Sequence, residues 1–242
     1  MTTQPKSSEH KPLYRIFTAV PHRYDLVNHV ITWGMDSRWR LKAARECLTS
    51  KPKRALDLCC GTGDLAINLA RLSDGSVELT GTDYSLPMLE LATRKANRLA
   101  KGKKISFVHG DASRLPFSDG YFDCIGISFA FRNLTYKNPL SPRHLAEILR
   151  VLSHEGRFII VETSQPKTKL IRRLFHLYLR WFAFRLGFLL SNNKSAYHYL
   201  AESAARFYTA EELHKFLIEA GFRQVSFRPL LLGAIAIHIA IK

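Results

Sequence analysis

From Arg54 onward, short apolar runs alternate with amphipathic stretches. "RALDLC" (54–59), "VELTGTD" (77–83), "ISFVHGD" (105–111), "FDCIGIS" (122–128) and "RFIIVET" (157–163) have the length and β-branched or aromatic content of strands. Helical spacing of apolar positions occupies 65–72, 86–100 and 140–152 between them. Strands alternating with helices predict an α/β fold whose parallel sheet carries helices on both faces. After Pro166 the alternation stops for a basic, aromatic helical segment (about 168–190) and a polar connector, "SNNKS". It resumes with a helix over 210–220 ended by Gly221, then the strands "QVSFRPL" and "AIAIHIAI". We read a disordered leader (1–12) and one domain over 13–242. That domain divides into a helical lid (13–52), a core (53–166), a helical cap insertion (167–206) and C-terminal helix and strands (207–242). Ligands of such sheets sit at the carboxyl ends of the strands, so an insertion after the fifth strand overhangs the binding edge.

Composition sharpens this picture at five points. The chain has 242 residues, 46% of them apolar, enough for one sizeable core. Its formal charge of +16 is unevenly spread: the excess is +7 over 1–56, +1 over 57–165 and +8 over 166–242. Basic flanks around a neutral middle suit nucleic acid, an anionic membrane surface or an acidic substrate. Cys47, Cys59, Cys60 and Cys124 show neither CxxC nor zinc-finger spacing, so no metal or disulfide framework is expected, and a cytoplasmic setting is the default. The leader lacks the apolar stretch of a signal peptide. The run "LFHLYLRWFAFRLGFLL" (174–190) is broken by Arg180 and Arg185. Each arginine costs about 2.5–3.5 kcal/mol at a bilayer centre, and the run is shorter than the ~20 residues a span requires.

The candidate chemistry lies at the strand ends. "LDLCCGTGDLA" (56–66) ends a strand on Asp57 and turns through Gly61 and Gly63 into a helix. Glycine lets backbone approach a ligand, and a helix start offers unpaired N–H groups, although a GxG turn alone is equally a plain structural turn. Asp83 ends the second strand, twenty residues after Gly63, where a carboxylate can bind both ribose hydroxyls. Asp111 ends the third, where its carboxylate and the N–H of Ala112 suit an adenine edge. Singly, Asp83 or Asp111 reads as well as a turn or cap; three strand-end carboxylates in order do not. A nicotinamide site would want GxGxxG, which Gly61–Ala66 does not supply.

The turn, Asp83 and "GDA" resemble the S-adenosylmethionine-dependent methyltransferases of the seven-stranded Rossmann-like class. Within that class, several blocks resemble the ubiquinone/menaquinone biosynthesis C-methyltransferase family. These are "FTAVPHRYDLVNHVITWGMDSRWR" (17–40), "GDASRLPF" with "FD" (110–123), "ISFAFRNLT" (127–135), "RVL" before Gly156-Arg157, and "YHYLAESAARF" (197–207). The likeness runs from about Phe17 to Lys242. It implies S-adenosyl-L-methionine as cofactor, held at Thr62, Asp83, Asp111, Ala112 and Ser128, with Asp57, Gly61 and Gly63 shaping the turn. It also implies a prenylated quinol as substrate, methylated on a ring carbon made nucleophilic by loss of a phenolic proton. Arg132 is then expected to stabilise the phenolate, with Asn133 orienting the ring; the alternative is a surface ion pair and a turn residue. Three departures stand out: Cys59 where the family has a small residue, Ala130 where it has Gly, and Ser153-His154-Glu155 where it has Lys-Pro-Gly. The first two are expected near the ligand, the third in a turn before the fifth strand.

The lead-in "YDLVNHVITWGMDSRWR" (24–40) reads as a lid in which Tyr24, as a catalytic group, and Asn28, one helical turn on, face the substrate. Tyr197 and Tyr199 of the "YHYL" block are further substrate-side candidates, whereas Arg38 and Arg40 read as a solvated face. A polyprenyl quinol is collected from a membrane. The basic flanks and the 170–190 segment, with Arg172, Arg173, Arg180 and Arg185 among aromatics, suit peripheral contact with anionic lipid at the inner face. The same segment equally suits a cap packed on the domain, and a homodimer is left open. A nucleic-acid partner is disfavoured because "SFAFRN", not a base-flipping signature, follows the fourth strand. A non-catalytic cofactor-binding subunit is the third reading, opposed by the presence of Asp83, Asp111, Arg132 and Asn133.

Overall fold

The computed structural model describes residues 26, 28–100, 102–183 and 194–242, the side chains of 182–183 and 194–198 excepted. Helix α1 (Met35–Leu48) precedes β1 (Arg54–Leu58), α2 (Asp64–Leu72), β2 (Glu78–Asp83), α3 (Leu86–Leu99), β3 (Ile105–His109) and β4 (Phe122–Ser128). Then come α4 (Phe131–Thr135), α5 (Ser141–Val151), β5 (Leu152–Thr163) and α6 (Lys169–Leu177), which continues as a π-helix over Tyr178–Ala183. α7 (Lys194–Arg206), α8 (Ala210–Glu219), β6 (Gln224–Leu230) and β7 (Ile235–Ile241) complete the order. The seven strands form one sheet in the order β3-β2-β1-β4-β5-β7-β6, parallel except for β7, which runs antiparallel between β5 and β6.

Both faces of the sheet are buried, and the period-2 alternation of side chains sorts its residues into two cores. Leu56, Leu58, Ile125, Ile127, Phe158 and Ile160 face α5 and α8 through Leu145, Ile148, Leu213 and Leu217. Ala55, Cys124, Ile159 and Val161, one residue out of phase, face α1 and α2 through Ala43, Cys47, Leu65 and Leu69. A capping box starts α8: the Thr209 hydroxyl accepts from the Glu212 N–H at 3.1 Å, and the Glu212 carboxylate accepts from the Thr209 N–H at 2.8 Å.

The predicted elements recur with three differences. β5 starts at Leu152 rather than Arg157, because Leu152 pairs with Phe122 and the register then slips across a bulge in which Glu155 takes φ 60°. The stretch expected as a turn is therefore bulged strand. The short α4 interrupts what reads as loop, and helix α6 gives way to π geometry at Tyr178.

His238, on β7, is buried; its Nε2 donates to the Ala210 carbonyl at 3.0 Å and burial pushes its pKa down to about 4. The unfolded imidazole titrates near 6.5, so between those values the native state binds fewer protons than the unfolded chain. This contribution is fully present above pH 6.5 and is lost as the pH falls toward 4. Urea unfolding of His238→Gln should lose stability less steeply than the parent between pH 7 and 4.5; parallel curves would exclude His238 as a source of the pH dependence.

Candidate active site

The strand order reverses between β1 and β4, and a cavity of about 660 Å³ opens there at the carboxyl ends of the parallel strands. The turn after β1 forms its floor. Gly61 takes φ 54°, and a Cβ there would meet nothing within 4 Å, so the backbone presents an open cradle to the cavity it lines. The Gly61 N–H donates to Asp83 Oδ2 at 2.9 Å, and the Ser85 N–H donates to Oδ1 at 2.9 Å. Burial raises the Asp83 pKa against these two bonds. Next along the edge, Asp111 Oδ1 accepts from both the N–H and the hydroxyl of Ser113 at 2.9 Å. Ala112 follows it in the wall, and Thr62 and Ser128 close the same side. Six of the eight residues predicted on the cofactor side, Gly61, Thr62, Asp83, Asp111, Ala112 and Ser128, thus surround one space; Asp57 and Gly63 do not.

Asp57 and Gly63 stand behind that wall rather than in it. Asp57 is buried, and its Oδ2 accepts from the Ala66 N–H at 2.9 Å, tying the end of β1 to the first turn of α2. Burial pushes its pKa up to about 8. Gly63 takes φ 81°, and a Cβ would press on Ala92 at 3.1 Å and Phe107 at 3.2 Å; it is small for helix packing, not for a ligand.

The substrate-side residues divide likewise. Asn133 and Tyr199 line the cavity, and the Tyr199 hydroxyl donates to Asn133 Oδ1 at 3.3 Å. Burial raises the Tyr199 pKa, keeping its proton in place at neutral pH. Arg132 is absent from the wall and is only 4% exposed. Its Nη1 donates to Glu162 Oε1 at 2.6 Å and its Nε donates to Ser203 at 2.9 Å. The guanidinium expected to stabilise the phenolate is thus turned inward and paired with Glu162. Asn28 is half-buried outside the wall, its carbonyl accepting from the Thr32 hydroxyl at 2.8 Å. Tyr24 and the side chain of Tyr197 lie outside the described residues.

Among the wall residues that were not foreseen, Arg40 and His144 carry titratable side chains buried in the wall. Arg40, expected to be solvated, is only 8% exposed and reaches the cavity. The spacing Asp36, Arg40, Ala43, Cys47 places it on the buried face of α1, and that helical period was the available signal. His144 is also buried in the wall, its Nδ1 donating to the Leu134 carbonyl at 2.9 Å. Cys59, at φ 53°, and Ala130 line the cavity, as their departures from the family pattern suggested.

The glycine cradle with two successive strand-end carboxylates fits an adenosyl group followed by an amino-acid tail. Comparison with known proteins agrees. A demethylmenaquinone methyltransferase of Thermus thermophilus is 39% identical over 224 residues, covering 93% of this chain and 98% of its own. A ubiquinone/menaquinone biosynthesis C-methyltransferase of Pseudomonas putida is 34% identical over 238 residues, covering 98% and 91%. Among solved structures, a SAM-dependent methyltransferase of Thermotoga maritima superposes with a TM-score of 0.60 at 21% identity, covering 95% of this chain and 99% of that one, a likeness of fold. The model of the ubiE/COQ5 methyltransferase family matches residues 4–242. With a match over nearly its whole length and relatives this similar, the chain belongs to the ubiE/COQ5 methyltransferase family and is an S-adenosylmethionine-dependent methyltransferase.

Proposed function

We propose that this enzyme methylates a ring carbon of a prenylated quinol, converting demethylmenaquinol to menaquinol. The observation that carries the reading is the continuity of the cavity. One space of about 660 Å³ is lined by Asp83 and Asp111, by Asn133 and Tyr199, and by the apolar Leu134, Pro139 and Leu140. The names of the Thermus thermophilus and Pseudomonas putida relatives support the substrate class.

S-Adenosylmethionine, when bound, would supply a sulfonium methyl group to a ring carbon of the phenolate, leaving S-adenosylhomocysteine, with the phenolic proton lost before transfer and the ring proton lost after it passing to solvent. Asp83 would accept from the ribose hydroxyls, Asp111 and the Ala112 N–H would hold the adenine edge, and Thr62 and Ser128 would flank the remainder. With substrate bound, the Tyr199 hydroxyl, which keeps its proton, would turn its one O–H from Asn133 Oδ1 to the ring oxygen and stabilise the phenolate, while Asn133 fixes the ring plane. Holding the reacting atoms collinear is worth roughly 7–11 kcal/mol at best. The buried Arg132–Glu162 pair positions α4 and α7, from which Asn133 and Tyr199 project.

Transfer of labelled methyl to reduced demethylmenaquinone, the reduced ubiquinone precursor and tRNA, side by side, tests the reading. Label in the naphthoquinol is expected. Label confined to the benzoquinol would move the enzyme to the ubiquinone branch, as the broader name of the Pseudomonas putida relative allows. Label only in tRNA would overturn the proposal.

Peripheral membrane contact belongs to the same reading. No helix among the described residues is long and apolar enough to cross a membrane. Leu170, Leu174, Leu177 and Trp181 recur at helical spacing along one face and are each more than half exposed, beside exposed Lys169, Arg173 and Arg180. The opposite face packs, with Leu179 buried against Ala201 and Ala204, so the segment is at once cap and amphipathic surface. The protein should sediment with phosphatidylglycerol vesicles at low salt. Because burying one such side chain contributes about 1.5–3 kcal/mol, Leu174→Glu should weaken binding at least about tenfold. Binding of parent and variant alike, or of neither, would remove this surface from the reading.

A further inference from the structure

We infer that Arg40 binds the α-carboxylate of the cofactor's methionine moiety, and that Asp36 sets the orientation of the guanidinium. The assignment rests on the cofactor placement proposed above.

Sheet order fixes where each end of the cofactor lies. Reading β3-β2-β1-β4 across the edge gives Asp111, Asp83, Gly61 and Ser128 in turn. With adenine at Asp111 and ribose at Asp83, the amino-acid tail runs over the Gly61 turn toward Ser128. Arg40 stands at that end: its guanidinium carbon lies 5.1 Å from the ring centroid of Phe129, the residue after Ser128. The Lys and Arg side chains lining the cavity, among the described residues, are Arg40 and Lys137. Lys137 lies over the Tyr136 ring, in the loop that follows Asn133, rather than beside Ser128 and Phe129.

The surroundings of Arg40 hold its guanidinium in one orientation. Asp36, 5% exposed, accepts from Arg40 Nη1, and its other oxygen accepts from the Thr32 hydroxyl at 2.9 Å and His29 Nδ1 at 3.0 Å. Burial acts to raise the Asp36 pKa, but the Arg40 guanidinium and these hydrogen bonds outweigh it and hold the carboxylate ionised. The face of the Phe129 ring lies beside the fork, its centroid 5.1 Å from the guanidinium carbon. A guanidinium presents five N–H donors in fixed geometry, matched to a carboxylate in two-point contact. The rest of the wall carries the carboxylates Asp83, Asp111 and Glu202, with Asp64 paired to Lys95, so an anionic ligand group is favoured at Arg40 over the Asp83 and Asp111 stretch of the edge.

Calorimetric titration with S-adenosylhomocysteine and with 5′-methylthioadenosine, which lacks the amino-acid tail, tests this. Arg40→Met should weaken S-adenosylhomocysteine about ten- to a hundredfold, the worth of a charged hydrogen-bonded contact, and leave 5′-methylthioadenosine within about threefold. Arg40→Lys, which keeps the charge and guards against a folding defect, should fall between the two. Asp83→Ala should weaken both ligands, separating failure of the cofactor placement from failure of the Arg40 assignment. Equal losses on both ligands in Arg40→Met would make Arg40 a purely structural partner of Asp36, and unchanged affinity for S-adenosylhomocysteine would place the carboxylate elsewhere; either result overturns the inference.

Discussion

Arg132→Met is expected to destabilise the protein by about 3–5 kcal/mol, the typical cost of leaving one member of a buried ion pair alone. Glu162 is 1% exposed, and it accepts not only from Arg132 Nη1 but also from the Arg132 N–H at 3.1 Å and the Thr163 N–H at 2.8 Å. Removing the guanidinium therefore strands a carboxylate that still holds the start of α4 and the end of β5, and releases Ser203 on α7. Arg132→Met combined with Glu162→Gln removes both charges and should recover most of the loss, since a neutral amide in that position avoids the stranded charge. Urea unfolding of the two single variants and the double variant measures the coupling. Turnover discriminates the roles: if Arg132 is a positioning residue, the refolded double variant regains activity along with stability. A stable double variant that remains inactive would return Arg132 to direct contact with the substrate.

Asp83→Ala should weaken S-adenosylhomocysteine by about a hundredfold or more. Two hydrogen bonds from ribose hydroxyls to an ionised acceptor contribute about 1.5–3 kcal/mol each, and 1.4 kcal/mol is tenfold in affinity. The same substitution deprives the Gly61 and Ser85 N–H groups of their acceptor, so the cradle loses its fixed shape as well. Calorimetry reads the affinity, and the thermal midpoint of the ligand-free protein reads the loop. A change in affinity of less than about threefold would move the ribose away from Asp83. The effect should exceed that at Arg40, because Asp83 organises the floor of the cavity as well as contacting the ligand.

Much of this was legible in the residues themselves. Period-2 runs and helical spacing reported which positions face a core, and with Asp83 and Asp111 at the ends of successive strands the edge that lines the cavity followed from pattern, while Asp57, read the same way, turned out to hold the start of α2 from behind the wall. The cofactor side was readable because each contact there is local: a turn and a strand end carry their own geometry within a few residues.

The substrate side was not local. Arg132 and Asn133 are neighbours in sequence, yet on the five-residue helix α4 successive side chains diverge, so one meets Glu162 and Ser203 while the other meets Tyr199. Nothing near residue 132 announces a carboxylate thirty positions away. Arg40 was misjudged for the same reason: a charge on a helix reads as solvated until a buried partner such as Asp36, and a ring such as Phe129, are brought beside it. Likewise the bulge that starts β5 early depends on the pairing of Leu152 with Phe122. The sequence by itself determined the strand order's raw material, the two-sided core and the acidic edge that lines the cavity, because periodicity and strand ends are properties of short segments. Only the tertiary structure decided which cation faces the cavity and which is neutralised within the core, because charge partners are chosen by packing across distant elements.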